Sequence, residues 1–128
     1  MEWKDCKHSR EAGKYYSLNQ ETFLNFLRKH KIRAKRVLDI GCGGGELTLK
    51  IAEAVGAEEV YGVHINDKAI KAASSKGIEV VKYNIENGLP FEDNFFDLIT
   101  ANQVFEHINN TKLLFSETFR ILKIRDML

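Results

Sequence analysis

The sequence predicts an α/β domain: one open parallel sheet with helices on both faces. Three observations predict it. Four short apolar runs alternate with segments of helical period, the pattern of βαβ units. The run "RVLDI" is short, apolar and stopped by glycine, as a buried strand is. A glycine-rich stretch, "GCGGG", then opens a helix and sets a tight turn at the carboxyl end of that strand. Crossovers in such a sheet are right-handed, and ligands sit outside the carboxyl ends of the strands.

At 128 residues the chain is one domain, with residues 1–18 as a polar N-terminal arm or lid, a loose arm or a short helix, carrying Tyr15 and Tyr16. A helix follows from Asn19, with Phe23, Phe26, Leu27 and His30 at helical spacing and Ser17 or Asn19 as its cap. "RVLDI" is the first strand. "GELTLKIAEAVG" restores the helical period through Leu47, Ile51, Ala52 and Val55, and Gly56 stops it. "EVYGVHI" is the second strand; Asn66 or Asp67 caps the short helix after it, and Gly77 ends that helix. "IEVVKYN" is the third strand, and a loop with the single proline, Pro90, leads to the fourth, "FFDLITAN". The last helix runs from Asn110 to Ile124, with Leu114, Phe115, Thr118, Phe119 and Leu122 on one wide apolar face flanked by Leu113 and Ile121.

The bulk properties exclude several classes. A formal net charge of +1 gives no global field for nucleic acid or an acidic membrane. The basic runs "RKHKIRAKR" and "KIR" read as solvated helix ends, and a local contact with RNA or a nucleotide substrate stays open. Cys6 and Cys42 have no metal-ligand spacing and fit a reduced, cytoplasmic setting. The N-terminus has no apolar signal core, and no apolar stretch approaches the roughly 20 residues of a membrane span.

The glycine loop carries the chemistry. Loops of this kind bring a ligand onto bare backbone near helix N–H groups that favour negative charge. Phosphate is disfavoured here. A Walker-type loop needs Gly-Lys-Ser/Thr where this chain has Gly45, Glu46 and Leu47, and Glu46 repels a polyphosphate. A dinucleotide pattern begun at Gly41 needs glycine at 46, so a nicotinamide oxidoreductase is disfavoured too. What remains is Asp39-x-Gly41-x-Gly43-x-Gly45. An acid at a strand end beside a helix start suits a ligand with ammonium, sulfonium and carboxylate groups, as in S-adenosylmethionine.

The sequence at this point resembles the class I S-adenosylmethionine-dependent methyltransferases, in particular the methyltransferase type 11-like group with a "DIGCGxG" first motif. The resemblance runs from about Phe23 to Lys123 through "VLDIGCGGGELTLKIAE", "VYGVHINDKAIKAA", "LPFEDNFFDLITANQVFEHI" and "ETFRILK". It implies a minimal Rossmann-like sheet of about four strands in the order 3-2-1-4. It places Asp39, Gly41, Cys42, Gly43 and Gly45 around the methionine and ribose parts of the cofactor, and His64 and Ile65 at the end of the second strand. Asn84 and Ile85 would face the adenine, and Asn102 and Gln103 the methionine end. His107 in "FEHI" is the catalytic candidate, with Glu106 and His64 as other possible bases, though a histidine near an apolar strand end is more often a packed residue. Asp97 looks structural. No metal is implied.

Two departures from the family pattern matter. The second strand of these proteins usually ends in an acid that accepts from both ribose hydroxyls, and here His64 stands there. A neutral imidazole has one acceptor nitrogen, so the contact is expected to be weaker or rearranged. Asn84 replaces a frequent aspartate, a milder change. The second departure is the end: after "RILK" the family continues into Pro-Gly-Gly and further strands, and this sequence reads "RILKIRDML". The fourth strand is therefore expected to be an apolar sheet edge. A homodimer or a heteromeric partner is expected to cover it and the last helix. The leading reading is methyl transfer to an unidentified, small-molecule acceptor. The run Ala101-Asn102-Gln103-Val104 disfavours the exocyclic amines of DNA bases. The alternative is a non-catalytic, methyltransferase-like binding or regulatory subunit acting with a partner chain.

Overall fold

The structure is a computed structural model that describes residues 10–101, 104 and 107–123, with side chains from Gln20 onward. Its elements are α1 (Arg10–Lys29), β1 (Arg36–Ile40), α2 (Glu46–Val55), β2 (Glu59–His64), α3 (Asp67–Ser75), β3 (Glu79–Lys82), a single 3-10 turn (Ile85–Asn87), β4 (Leu98–Thr100) and α4 (Thr111–Ile121). The strands form one sheet in the order β3-β2-β1-β4, and every pairing is parallel. This is the expected order, with β1 at the centre. Asp39 in β1 lies in register with Gly62 of β2 and Thr100 of β4.

β1 is buried on both faces. Val37 packs with Leu24, Leu27, Ile51 and Val55 beneath α1 and α2. Leu38 and Ile40 point the other way, into a cluster with Val63, Phe96, Leu114 and Ile121 beneath α4. Tyr61, Phe91, Phe95 and Phe96 extend that second layer through edge-on ring contacts with centroids 5.0–6.3 Å apart. A third, smaller cluster of Cys42, Ala73 and Ile78 seats α3 against β2 and β3. No helix among the described residues is long and apolar enough to cross a membrane.

Three boundaries differ from the sequence reading. α1 begins at Arg10 and is unbroken through Lys29, so Ser17 and Asn19 lie inside it rather than capping it. Residues such as Arg10, Glu11, Ala12 and Lys14 favour helix without supplying an apolar period, and a periodicity reading therefore misses them. β4 is only three residues long. Its lead-in, Phe95 and Phe96, instead donates both backbone N–H groups to the Ile121 carbonyl, at 2.8 and 2.9 Å. α4 stops at Ile121 rather than Ile124, because Leu122 turns extended and bridges Phe96 in parallel, and Lys123 N–H donates to the Phe96 carbonyl at 2.8 Å. The start of the fourth-strand edge is thus covered by the chain itself. The face of α4 is also narrower than expected: Leu114 and Ile121 are fully buried, while Phe115 and Phe119 are 52% and 62% exposed.

Candidate functional site

The glycine loop leaves β1 at the carboxyl edge and enters α2 through Gly45, which takes φ +88° as the N-cap and has no side-chain cap. That leaves first-turn N–H groups of α2 without a side-chain partner, an opening for an anionic group. The glycines have different reasons to be glycine. A Cβ on Gly45 would meet Ile78 Cδ1 at 2.5 Å and Ala73 at 3.3 Å. A Cβ on Gly41 would meet Val104 Cγ2 at 2.7 Å. A Cβ on Gly43, at φ +55°, would meet nothing within 4 Å. Two are small because the protein approaches them. Gly43 borders open space, in a cleft of about 340 Å³ lined by residues 41–47 with Gln20, Asp39 and Lys50.

Asp39 is the buried centre of this loop. Its Oδ2 accepts from Thr48 Oγ1 at 2.5 Å and its Oδ1 from Thr100 Oγ1 at 2.9 Å. The carboxylate thereby ties β1 to α2 and to β4. Burial pushes its pKa up, and the two hydroxyls act against that shift. Both oxygens are engaged within the protein, so the structure shows a brace behind the loop rather than a free acid at its surface. Cys42 also turns inward: its Sγ lies where a Cβ on Gly62 would sit, 2.6 Å away, and burial pushes the thiol to about 11. Its contribution to the cleft is backbone. Lys76, at the end of α3, donates to the Gly44 carbonyl at 2.7 Å and holds the loop from outside.

The ends of β2 and β3 lie along the same edge. His64 Nδ1 accepts from the Asn66 backbone N–H at 3.0 Å, which fixes the neutral tautomer with its hydrogen on Nε2. The free ring nitrogen is therefore a donor, the opposite polarity to the acid usual at that position. Partial burial lowers the His64 pKa, which also favours the neutral ring. Asn66 caps α3 by accepting from Ala69 N–H at 3.0 Å. Ile65, between them, is 57% exposed. After β3, the exposed Asn84 accepts from Glu86 N–H at 3.0 Å, and Ile85 packs on the core beside it.

A family model described as a methyltransferase domain matches residues 38–126. The chain belongs to the class I S-adenosylmethionine-dependent methyltransferases. It is 35% identical over 94 residues to the uncharacterized methyltransferase YcgJ of Bacillus subtilis, covering 69% of this chain and 36% of that protein. It is 34% identical over 100 residues to the ubiquinone/menaquinone biosynthesis C-methyltransferase UbiE of Yersinia pestis, covering 71% of this chain and 39% of that one. The crystal structure of YcgJ superposes with a TM-score of 0.66 at 32% identity over 78% of this chain and 45% of that chain. That of PH0226 from Pyrococcus horikoshii gives 0.67 at 31%, over 91% and 55%. The chain spans less than half the length of these two curated relatives.

Within this methyltransferase domain, Gly41, Cys42, Gly43 and Gly45 come together with Asp39 at one cleft, while His64, Ile65, Asn84 and Ile85 lie outside that cleft on the same sheet edge. His107 is exposed, and its backbone N–H donates to the Val104 carbonyl at 3.1 Å. Asn102, Gln103, Glu106 and Cys6 lie outside the described residues, as do the side chains of Tyr15 and Tyr16. Asp97 is structural as expected: its Oδ2 accepts from the backbone N–H groups of Lys35 and Arg36 at 3.1 and 2.9 Å. Sequence reasoning missed Thr48, Thr100, Gln20 and Lys50. The two threonines gave one weak signal, a hydroxyl in an otherwise apolar helix face or strand.

Proposed function

We propose that this domain binds S-adenosylmethionine at the glycine loop and serves methyl transfer to a small-molecule acceptor. The observation that carries the reading is Gly43: it has positive φ and borders open space, between Gly41 and Gly45, where protein atoms leave no room for a side chain. Such a cradle accepts a ligand against backbone. The N-terminus of α2 suits the carboxylate of an amino-acid moiety, and Glu46 disfavours a phosphate in its place. S-adenosylmethionine supplies an electrophilic methyl on a sulfonium, so the protein's task is orientation and exclusion of water. Asp39 contributes its charge from behind the loop. His64 offers Nε2–H to a ribose oxygen, and the exposed face of Ile65 offers an apolar surface to the base. His107 is available to a nucleophile that needs a base. A small acceptor is supported by the similarity to a ubiquinone/menaquinone biosynthesis C-methyltransferase. Calorimetry with S-adenosylmethionine, S-adenosylhomocysteine and NAD tests the reading. Binding of the first two and not the third is expected, and NAD binding alone would overturn it.

A second reading, a binding subunit that acts with another chain, is favoured by the outer edge of β4. Beyond the Phe96 bridge that edge has no strand partner among the described residues. It borders an apolar cleft of about 370 Å³ lined by Phe23, Phe26, Leu27, Ile32 and residues 98–101. On this reading another chain, a catalytic partner or a second copy of this one, pairs there. Sedimentation at micromolar concentration tests the second-copy form, which a persistent monomer would overturn, and methyl transfer by the chain alone would overturn the non-catalytic reading.

A further inference from the structure

One carboxylate on the carboxyl edge, Glu86, takes no part in the glycine loop or its brace. Glu86 sits in the turn after β3, beside Asn84 and Ile85. Its side chain reaches across to the segment that enters α4. Oε1 accepts from the backbone N–H of Asn109 at 3.0 Å and of Asn110 at 3.1 Å. Oε2 accepts from the Asn109 side-chain amide at 3.0 Å. These partners are 23 and 24 residues away in sequence.

Ordinary helix capping does not require this arrangement. α4 already has a local cap, Asn110, whose side chain accepts from Leu113 N–H at 3.2 Å. The N–H groups that Glu86 takes belong to Asn109 and Asn110, ahead of the first helical residue. What they fix is the lead-in to α4. That lead-in runs back through Ile108 to the turn in which His107 N–H meets the Val104 carbonyl. Val104 in turn presses on the Gly41 backbone, near enough that a Cβ there would lie 2.7 Å from it. Ile85, Val104 and Ile108 all pack on the same core cluster. Glu86 thus joins the turn after β3 to the residue that seats the start of the glycine loop.

We propose that Glu86 is a positioning residue for cofactor binding: its carboxylate clasps Asn109 and Asn110 and so holds Val104 in place against Gly41. The inference rests on the reading of the glycine loop as the S-adenosylmethionine site. The role is geometric. It depends on the reach of the side chain and not only on a negative charge near the start of α4, which by itself would be stabilising.

The test is the affinity for S-adenosylhomocysteine, measured by calorimetry beside a thermal melt for each variant. Glu86→Ala is expected to weaken binding about tenfold, the loss of charge-assisted hydrogen bonds that organise the site. Glu86→Gln keeps an oxygen that can accept from both backbone N–H groups and is expected to restore affinity to within about threefold of wild type. Glu86→Asp keeps the charge, shortens the reach by one methylene, and is expected to bind nearly as weakly as Glu86→Ala. It also serves if the alanine variant does not fold. Glu117→Ala is the control. That carboxylate binds Arg120 and the Leu89 N–H at the far end of α4, so its loss is expected to lower the melting temperature without changing affinity. In the amide NMR spectrum, the Asn109 and Asn110 resonances should move in Glu86→Ala and return in Glu86→Gln. Wild-type binding matched by Glu86→Ala and Glu86→Asp would overturn the clasp alone. Failure of the wild type to bind would overturn the cofactor reading and this role with it.

Discussion

The ends of β1 and β2 open onto the same edge of the sheet and are built on opposite plans. The β1 end is backbone. Its glycines carry no side chain into the cleft, its acid is 4% exposed and doubly hydrogen-bonded, and its cysteine turns inward. The β2 end is side chain: a half-buried imidazole held by one turn bond, an isoleucine that is 57% exposed, and an asparagine cap. Changes at the first should travel into the fold, except at Gly43, because Asp39, Gly41, Cys42 and Gly45 all abut packed protein atoms. Changes at the second should stay local and alter binding.

Four substitutions sharpen or break that contrast. Gly45→Val should have the largest effect. Its side chain would enter Ile78 and Ala73, and the residue would keep a left-handed φ that valine avoids. Overpacking plus strain amounts to at least about 3 kcal/mol, a large part of the roughly 5–15 kcal/mol of a small domain. A denaturant melt with a near-native midpoint would remove the loop from the core. Asp39→Ala comes next, since it strands two buried hydroxyls. A loss of about 2–4 kcal/mol in the same melt is expected, and Thr48→Val in the Asp39→Ala background should recover part of it.

Gly43→Val should separate fold from binding. Space is open there, so the fold is expected to bear only the strain of positive φ, about 1–2 kcal/mol. Affinity for S-adenosylhomocysteine should fall beyond detection. A variant that binds normally would show that the cleft is not the cofactor site.

His64 should have the smallest effect on the fold and a pH signature. Its folded pKa is depressed, so the neutral ring's contribution to stability is fully present above the ordinary histidine value of about 6.5 and is lost as pH falls through the folded pKa. The imidazolium has donors on both nitrogens and cannot accept from Asn66, so the turn that aims Nε2–H at the ribose is released and cofactor affinity should fall in the same window. His64→Asp supplies acceptors for both the Asn66 N–H and a ribose hydroxyl. It should bind about threefold or more tighter and flatten the pH dependence. Equal affinity in a folded His64→Asp protein would show that the β2 end does not touch the ligand.

The same contrast explains what was legible in the sequence. The glycine loop and the caps at Gly56 and Asn66 are written within a few neighbouring residues and were readable there, whereas the strand order came with the family resemblance that the motifs carry. The partners of Asp39 lie 9 and 61 residues away, on elements where threonine is unexceptional, so the acid was recognised but its engagement was not. The polarity of His64 depends on a backbone N–H two residues on, which only the turn geometry reveals. The start of α1 escaped because a polar helix has no apolar period, and the end of α4 because Phe96 captures Leu122 from across the fold. For the same reason Phe119 and Ile121, which the sequence places on or beside one face, are separated by the structure. Ile121→Glu should unfold the domain and Phe119→Glu should not, as the same melts would show.

The position of β1 has a consequence for the order of folding. Its partner on one side, β2, follows after a single helix and can close a compact βαβ unit early. Its partner on the other side, β4, pairs Asp39 with Thr100 across a far longer stretch of chain. Closing that loop carries the larger entropy and comes late. Until it closes, one oxygen of Asp39 remains hydrated, so the final docking step dehydrates a carboxylate at the same moment that it completes the sheet. A protonated acid is easier to dehydrate, and refolding should therefore quicken as the pH is lowered toward the raised pKa of Asp39. Stopped-flow refolding of wild type and Asp39→Asn would show this as a pH-dependent rate in the first and a flat one in the second.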